Sequence, residues 1–393
     1  MDKLTVKDLD LKGKTVLMRA DFNVPLGANL DITDDIRIRA TLPTIKYILE
    51  KGAKKLILVS HLGRPDGKRV DKYSLKPVAA RLNKLLGQPV KFLNDCIGSA
   101  IKQEIDSSAD KIVLLENLRF HAEEEANDAS FAKQLALLAE IYIDDAFGTA
   151  HRAHASTEGV THYLQSAAGF LLEKEIQYLG AAVENPQRPF MVILGGAKVS
   201  DKIGVIENLL PKCDAILIGG GMAYTFLKAE GKPIGNSKLE QDKIGLAKEI
   251  LAKAVQLKKD ILLPVDNLVV DKIDPAARAD LVGEDIPEGK IAVDVGPKTV
   301  KLFEDKLKNA KTIVWNGPLG IFEMDAFAEG TAEVAKFIAG LKATSIIGGG
   351  DTAAAVAKFK LEDKMTHIST GGGASLEYLE GKALPGVAAL TDK

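Results

Sequence analysis

A glycine-rich turn near the middle of the chain carries two lysines that could bind phosphate. The segment GGAKVSDK, residues 195–202, follows the apolar run 190–194 and precedes a helical pattern. Glycine lets a backbone approach a ligand closely, and a helix N-terminus favours an anion. Lys202 would lie in the first turn of a helix that Ser200 could cap, where a cation opposes the helix dipole. On its own, the pattern slightly favours an ordinary strand–turn–helix with solvated lysines over a phosphate site.

Arginine and histidine follow the apolar runs in the first half of the chain. The segments after those runs are RADFNVP (19–25), SHLGRP (60–65), ENLRFH (116–121) and DDAFGTAHRAH (144–154). Ligands of open parallel sheets bind beyond the carboxyl ends of the strands, and arginine forms a planar fork that fits carboxylate and phosphate oxygens. One such arginine alone would favour a surface salt bridge, but four converging strand ends predict a site for a small polyanion. The histidines His61, His121, His151 and His154 lack the spacing of a metal site, which favours phosphate contact or a structural role.

Glycine takes the corresponding positions in the second half. The segments are GGAK (195–198), GGGMA (219–223), WNGPLGIFE (315–323), GGGDT (348–352) and STGGGAS (369–375). Repeated glycine at strand-to-helix turns suits a nucleotide and its phosphates. Residues 348–353 match the dinucleotide pattern GxGxxA, but no acidic residue follows about 20 positions later to bind a ribose. Asp351 could cap a helix or hold Mg²⁺ against phosphates. An anion crevice and a nucleotide crevice in one chain indicate a phosphotransferase.

Short apolar runs alternate with amphipathic helical patterns along the whole chain, which predicts parallel sheets covered by helices. The predicted strands are 15–18, 56–59, 112–115, 141–143, 190–194, 215–218, 261–263, 291–293, 312–315 and 345–347. Helices are predicted at 43–52, 77–87 and 131–140. We predict an α/β fold of two doubly wound, parallel-sheet, Rossmann-like domains. A helix at 171–183 would join them as a hinge or as a rigid strut.

The composition excludes several classes of protein. The chain of 393 residues is long enough for two or three domains, and its net charge of −2 has no like-charge block that would favour nucleic acid. Cys96 and Cys213 lie in no paired pattern, which argues against a disulfide scaffold or a zinc site. The charged opening MDKLTVKDLDLKGK lacks a signal-peptide apolar stretch, and no apolar run is as long as a membrane span. These features predict a soluble cytoplasmic protein.

Taken together, the motifs resemble those of the phosphoglycerate kinase family over essentially the whole chain, from RADFNVP to STGGGASLEYLEGKALPG. GTAHRAH, GGAKVSDKI, GGGMAYTFLK, WNGPLGIFE and GGGDT occur in the family's order. The resemblance implies reversible phosphoryl transfer from 1,3-bisphosphoglycerate to ADP, giving 3-phosphoglycerate and ATP. It also implies Mg²⁺, direct in-line transfer after two domains close, and a place in glycolysis. Small molecules would be the only partners, without nucleic acid or membrane, and the protein would be a monomer.

The resemblance further implies roles for individual residues. Phosphoglycerate-binding positions would be Asp21, Asn23, Arg37, His61, Arg64, Arg119 and Arg152. Nucleotide-binding positions would be Gly195, Lys202, Gly219, Asn316, Pro318, Glu323, Gly349, Gly350, Asp351 and Thr352, with Asp351 also at the metal. Catalytic positions would be Arg37, Lys198 and Gly372. Lys198 would stabilise the phosphoryl group during its transfer, and residues 371–373 would present a helix N-terminus to that group. The implied organisation is a phosphoglycerate domain at 1–170, an inter-domain helix at 171–185, a nucleotide domain at 186–374, and a tail at 375–393 that packs back toward the first domain.

Two positions depart from the family pattern. Ala20 stands where valine is common, and Asp144 stands where asparagine is common, beside the GTAHRAH loop. An added carboxylate there could lower the affinity for anions. The implied chemistry needs no general base for the substrate carboxylate, which is already ionised, so positioning and charge neutralisation would carry catalysis. The rival interpretations are an NAD-dependent dehydrogenase and a non-catalytic nucleotide-binding module.

Overall fold

The structure of the protein is a computed structural model that describes residues 3–393. The chain divides into two compact units. Unit 1 comprises residues up to Gln177 together with Ala383–Lys393, and unit 2 comprises Tyr178–Lys382.

Unit 1 is built on a parallel sheet. Its strands are β1 (Thr15–Arg19), β2 (Lys55–Val59), β3 (Val90–Phe92), β4 (Ile112–Leu114), β5 (Ile141–Asp144) and β6 (Gln165–Ala168). Their spatial order is β3-β4-β2-β1-β5-β6, and each neighbouring pair is parallel. The central strands are buried along nearly their whole length, as expected of a sheet that is covered on both faces. The sequence pattern predicted four of these strands, whereas β3 and β6 carry no continuous apolar run.

The helices of the first part of the chain are α1 (Ile36–Glu50), α2 (Lys76–Leu86), α3 (Ser99–Ser107), α4 (Ala122–Glu125), α5 (Ala129–Ala136) and α6 (Phe170–Glu184). The prediction that a helix begins at Pro43 is wrong, because Pro43 lies inside α1. Ile38, Ile45 and Ile48 are buried on both sides of the proline, and their packing offsets the hydrogen bond that proline cannot donate. The predicted helix at 77–87 is confirmed, with Gly87 as its left-handed C-cap.

Unit 2 contains a second parallel sheet and a small antiparallel one. Its strands are β7 (Phe190–Leu194), β8 (Ala215–Ile218), β9 (Asp260–Leu262), β10 (Asn267–Val270), β11 (Asp280–Val282), β12 (Ile291–Val295), β13 (Thr312–Asn316), β14 (Thr344–Gly348) and β15 (His367–Ile368). The parallel sheet has the order β15-β14-β13-β7-β8-β9. This is the classic Rossmann strand order, with β7 as the first strand at the centre of the sheet. The antiparallel sheet has the order β11-β10-β12. The predicted α/β fold with two parallel sheets is therefore confirmed.

The helices of unit 2 after α6 are α7 (Ile203–Leu209), α8 (Ala223–Ala229), α9 (Ile244–Gln256), α10 (Pro297–Leu307), α11 (Glu329–Ala339), α12 (Gly350–Lys358) and α13 (Gly372–Leu379). The expectation that Ser200 caps the helix after β7 is wrong. Lys202 occupies the N-cap position of α7, whereas the Ser200 hydroxyl donates to Glu240 Oε1 at 2.6 Å. Ser200 lies two residues before the N-cap position, because the helix begins only at Ile203, so its hydroxyl is not placed to accept from the first N–H groups of α7.

The boundary between the two units falls within α6, so the segment predicted to join two domains is one continuous helix. After α13 the chain returns to unit 1 and forms the short helix α14 (Pro385–Ala388). There the Thr391 carbonyl accepts from the Leu4 N–H at 2.9 Å, and the Gly386 N–H donates to the Ala150 carbonyl at the same distance. Residues 375–382 belong to unit 2, and residues 383–393 belong to unit 1.

Candidate active site

The loops that follow β1, β2, β4 and β5 carry the predicted anion-binding residues of unit 1. These four strands are parallel neighbours, so their carboxyl ends share one edge of the sheet. The strand order changes direction between β1 and β5, since β2 pairs with one side of β1 and β5 with the other. Ligands of doubly wound sheets bind at such a switch point.

Asp21 holds Arg37 beside the end of β1. Arg37 is the second residue of α1, and its Nη1 donates to Asp21 Oδ2 at 2.6 Å. Asp21 Oδ1 accepts from the backbone N–H of Asn23 at 3.1 Å, and Asn23 Oδ1 accepts from the N–H of Gly63 at 2.9 Å. Arg119 donates through Nη1 to the Gly63 carbonyl at 3.0 Å. Hydrogen bonds thus gather four of the predicted residues around Gly63.

The arginines of unit 1 lie close enough to lower the pKa values of neighbouring histidines and of one another. Burial is the largest cause that holds the pKa of His61 well below its usual range, and neighbouring arginines, Arg119 and Arg37 among them, lower it further. The pKa of His154 is lowered to about 3, first by burial and then by arginines that include Arg152. Repulsion between the arginines also lowers the pKa of Arg119, after burial, and a bound anion would relieve it.

The two other predicted arginines are less constrained. Arg64 is exposed, and Arg152 is partly exposed, with its Nε 3.2 Å from His151 Nε2. Both side chains can therefore turn toward a ligand. His121 instead pairs with Asp95 at 2.7 Å, beside the buried thiol of Cys96. Burial raises the pKa of that thiol well above its usual range, which opposes metal binding by this group.

Asp144, one of the two residues that depart from the family pattern, forms no ion pair with an arginine within residues 3–393, although Arg19 lies opposite it on the neighbouring strand. Its Oδ1 accepts from the Ala146 N–H at 2.9 Å, and its buried Oδ2 has no hydrogen-bond partner within residues 3–393. A side chain added at Gly386 would meet that oxygen at 3.3 Å, so the carboxyl group lies against the tail. Burial raises the pKa of Asp144 to about 7, so the group is substantially protonated at neutral pH. Its effect on a bound anion is correspondingly reduced.

The glycine turns of unit 2 pack directly against one another. They meet where β7 lies beside β13, the switch point of this sheet. A Cβ atom on Gly195 would lie 2.1 Å from the Pro318 carbonyl oxygen, and one on Gly317 would lie 2.2 Å from the Gly195 carbonyl oxygen. Glycine is required at both positions because the backbones approach too closely for any side chain.

The backbone N–H groups of these turns are already bonded within the fold. Gly195 donates to the Asn316 carbonyl at 3.0 Å, Gly196 to the Pro318 carbonyl at 2.9 Å, and Gly219 to the Leu194 carbonyl at 2.9 Å. The expectation that the first glycine turn presents its N–H groups to a ligand is therefore wrong for Gly195 and Gly196. These glycines allow close packing, and the free donors lie elsewhere.

The free donors are the N-termini of α12 and α13, which meet at a polar cavity of about 320 Å³. A Cβ on Gly372, the first residue of α13, would lie 3.6 Å from the backbone nitrogen of Gly350, the first residue of α12. The opening N–H groups of a helix have no partner inside it and carry partial positive charge. Their meeting creates an anion site. The predicted residues that line the cavity are Gly195, Lys198, Lys202, Asn316, Gly349, Gly350, Asp351, Thr352 and Gly372.

Lys202 and Asn316 form a polar pair in this cavity. Lys202 Nζ donates to Asn316 Oδ1, and burial lowers the pKa of the lysine. Because Oδ1 accepts this bond, Nδ2 remains as a donor, and in the described chain it is buried with no partner. A buried, unpaired donor beside two helix N-termini is the arrangement that an anionic ligand would satisfy. Lys198 lines the same cavity and is exposed.

A second, largely apolar cavity of about 330 Å³ adjoins the polar one, since Asp351 lines both. Its apolar wall includes Tyr224, Ile273, Ile291, Val293 and Ile321. Pro318 and Glu323 also line it, as predicted, whereas Gly219 lies beneath Leu319 and lines neither cavity. No motif in the sequence marked this apolar wall. The run 291–293 was visible as a strand, but its membership of the small antiparallel sheet was not.

The polar cavity has the ligand chemistry that a hard divalent metal ion needs. Asp201 and Asp351 both line it, and Asp351 is exposed in the first turn of α12. Such metals bind one or two carboxylates together with phosphate oxygens and water. The two carboxylates fit a metal ion that arrives with a nucleotide.

Unit 1 with its arginines and unit 2 with its paired cavities define a nucleotide-dependent phosphotransferase. The family model described as phosphoglycerate kinase matches residues 6–382. The chain belongs to the phosphoglycerate kinase family. It is therefore a kinase that acts on small molecules, including a nucleotide with a metal ion, and the dehydrogenase and binding-module alternatives are not favoured.

Individual relatives agree with this assignment. The chain is 60% identical to a phosphoglycerate kinase of Koribacter versatilis and 58% identical to one of Synechococcus elongatus, each over the full length of both proteins. Among solved structures, the phosphoglycerate kinase of Coxiella burnetii matches with a TM-score of 0.91 and 43% identity, over 98% of each chain. That of Pyrococcus horikoshii matches with a TM-score of 0.84 and 34% identity, again over 98% of each. No helix in the described chain is both long and apolar enough to cross a membrane.

Proposed function

We propose that unit 1 binds 3-phosphoglycerate or 1,3-bisphosphoglycerate, and that unit 2 binds ADP or ATP with Mg²⁺. The observation that carries the proposal is the meeting of the α12 and α13 N-termini beside the unpaired amide of Asn316. This arrangement suits the phosphates of a nucleotide, and the adjoining apolar cavity suits its base.

In unit 1, arginines supply the affinity for the phosphoglycerate. Arg37 is held by Asp21 through one terminal nitrogen, which leaves the rest of its fork for the substrate. Arg119 donates through Nη1 to the Gly63 carbonyl and pairs through Nε with Glu125 at 3.2 Å, which leaves Nη2 for the substrate. Asn23, His61, Arg64 and Arg152 complete the proposed contacts. The repulsion among the arginines, which also lowers the pKa values of the two histidines, supports an anionic ligand here.

In unit 2, the proposed nucleotide contacts divide between the two cavities. The apolar wall would cover the base, and Pro318 and Glu323 line the same cavity. Lys202, Asn316 and the first turn of α12 would bind the phosphates, including residues 349–352. Asp351 would hold Mg²⁺, which when bound neutralises phosphate charge. Gly195 and Gly219 contribute by keeping the turns close enough to form this surface.

The proposed mechanism needs no protein nucleophile or general base. The acceptor is either a nucleotide phosphate or the ionised carboxylate of 3-phosphoglycerate, so the chain has only to position the reactants and stabilise charge. Lys198 is exposed in the polar cavity and is free to follow the phosphoryl group as it moves. Gly372 presents the α13 N-terminus to the same group. Arg37 would orient the substrate, and the two ligands must come together before direct transfer.

We further infer that the protein acts in the cytoplasm as a monomer, in keeping with a glycolytic kinase of this family. Light scattering coupled to size-exclusion chromatography tests the monomer. A mass near 42.1 kDa is expected, and twice that value would contradict it.

A coupled assay tests the proposed activity. Purified protein with 3-phosphoglycerate, ATP and Mg²⁺ should form 1,3-bisphosphoglycerate, which a dehydrogenase added with NADH then consumes. Removal of divalent metal by a chelator should stop the reaction, and excess Mg²⁺ should restore it. Absence of turnover by the intact protein, with the coupling enzyme shown to be active, would contradict the proposal.

A further inference from the structure

Arg19 is the last residue of β1, and its side chain is fully buried at the switch point of unit 1. The family resemblance assigns it no ligand-binding role. Its Nε donates to Ser156 Oγ at 2.8 Å, and one terminal nitrogen donates to the Ala20 carbonyl. Its other terminal nitrogen lies 3.2 Å from His61 Nδ1. All three nitrogens of the guanidinium thus have a partner. These contacts fix the orientation of the group, with one terminal nitrogen directed at His61.

A buried acidic side chain anchors the other end of this arrangement. Ser156 accepts from Arg19 and donates through Oγ to Glu124 Oε1 at 2.6 Å, while the Ser156 N–H donates to Glu124 Oε2 at 2.9 Å. Glu124 is itself fully buried. The order Glu124, Ser156, Arg19, His61 is therefore a continuous hydrogen-bonded chain, anchored at the end opposite His61 by a carboxylate.

The direction of the last hydrogen bond follows from the chemistry of the two groups. A guanidinium has five N–H donors and no acceptor, so the histidine nitrogen that faces it must accept. The proton of a neutral His61 ring must then lie on Nε2. We propose that Arg19 is a positioning residue that fixes His61 as the Nε2–H tautomer, so that His61 donates a hydrogen bond to an oxygen of the phosphoglycerate. This inference rests on the proposed function of unit 1.

The surroundings of His61 also exclude its doubly protonated form. Burial lowers its pKa most, and Arg19, Arg119, Arg37 and His154 lower it further. A neutral ring adds a directional donor to a site whose positive charge already comes from arginine. The opposite tautomer would present a lone pair to the anion and would repel it.

The wild-type protein alone gives the first test. The ¹⁵N shifts of the His61 ring nitrogens, assigned by their loss in His61→Gln, report which nitrogen carries the proton. We expect an unprotonated Nδ1 and a protonated Nε2 between about pH 6 and 8. A protonated Nδ1, alone or together with Nε2, would overturn the inference. Because no substrate is present, this result is independent of the proposed activity.

A double-mutant cycle tests the consequence. Arg19→Met should raise KM for 3-phosphoglycerate about tenfold with a smaller change in kcat, because the ring is then free to take the wrong tautomer. Glutamine offers an N–H near the Nε2 position without any choice of tautomer, so Arg19→Met should have little further effect in the His61→Gln background. Arg19→Lys retains a donor and should recover part of the loss. Independent, multiplicative effects of the two substitutions would overturn the inference, and the NMR test decides it if Arg19→Met does not fold.

Discussion

The two units present different chemical groups to their proposed ligands. In unit 1 the groups are side chains, and Arg37 and Arg119 are held in place by hydrogen bonds to Asp21 and Gly63. In unit 2 most of the surface is backbone, built by turns that pack without side chains and by the N-termini of α12 and α13. The difference matches the proposed ligands. A small acid has few atoms to which side chains can bind, whereas a nucleotide has a flat base and a row of phosphates. The difference also means that different kinds of substitution should disrupt the two sites: side-chain replacements in unit 1 and added side chains at glycine in unit 2.

Lys198 is one of the few side chains that add to the backbone surface of unit 2, and its loss should have the largest effect. Lys198→Ala should lower kcat about 10²–10³-fold with a much smaller change in KM for ADP, because the lysine interacts mainly with charge in transit. Lys301→Ala, on the exposed face of α10, is the matched control and should behave as wild type. Near-normal kcat with weakened ADP binding would show that Lys198 only binds the nucleotide.

The backbone character of unit 2 is tested by adding a single methyl group. Gly195→Ala places a Cβ 2.1 Å from the Pro318 carbonyl oxygen, so it should lower the free energy of unfolding by about 3 kcal/mol. Gly245→Ala, in α9 with nothing within 4 Å of the added atom, is the control and should be neutral or slightly stabilising. Denaturant unfolding measures both. Equal stability of the two variants would mean that the turns are not as closely packed as described.

The side-chain character of unit 1 is tested by a conservative change. Arg37→Lys should lower kcat/KM for 3-phosphoglycerate about 10–100-fold, because one ammonium cannot bond Asp21 and also grip the substrate as a fork. Arg39→Lys, two residues along the same helix and paired with Asp35, should leave kcat/KM nearly unchanged. If the Arg37 variant retained most of its activity, Arg37 would contribute only its positive charge and not a bidentate contact with the substrate.

A smaller effect is expected from Asp144, the buried carboxyl group of unit 1, on the pH dependence of stability. The pKa of Asp144 is raised from 3.8 to about 7 by burial, so between these pH values the folded state holds a proton that the unfolded state has lost. This contribution to stability is fully present below pH 3.8 and is lost as the pH rises through about 7, with a slope of at most about 1.4 kcal/mol per pH unit. Asp144→Asn removes it.

The Asp144→Asn variant should therefore gain stability relative to wild type between pH 5 and pH 8. The comparison of the two proteins matters, because Asp145 and Asp294, whose pKa values burial also raises to about 7, add the same trend to both. Urea unfolding at the two pH values gives the difference. A stability difference that does not change with pH would show that Asp144 titrates normally.

The contrast between the units also explains what could be predicted from the sequence. Side-chain sites are visible as residue types, so the binding residues of unit 1 could be predicted, and four of them, Asp21, Asn23, Arg37 and Arg119, do gather around Gly63. The backbone site was visible only as repeated glycine, which did not reveal that Gly195 packs against Pro318 while Gly350 and Gly372 start the helices that meet. Which glycines pack together and which ones start helices at the cavity depends on which turns are neighbours in the fold. The strand order of the sheet determines those neighbours.

Other features were hidden for local reasons. Strand β15 has two residues, and β6 reads QSAA, so neither carries an apolar run. Pro43 was a reasonable helix start that the burial of α1 on both sides overrode. Arg19 was quoted within RADFNVP, yet its burial and its contact with His61 need the pairing of β1 with β2, which places residue 19 beside residue 59.

The central claim is that the two units bind the two ligands separately through these surfaces. Hydrogen exchange with each ligand alone tests it most directly. With 3-phosphoglycerate, we expect slower exchange in the loops at 20–23, 61–65, 117–121 and 150–154 of unit 1. With ADP and Mg²⁺, the protection should fall at 197–203, 349–353 and 371–374 of unit 2, while the already bonded amides of Gly195 and Gly196 should change little. Protection of unit 1 loops by ADP alone, or of the unit 2 cavity by 3-phosphoglycerate alone, would contradict the account.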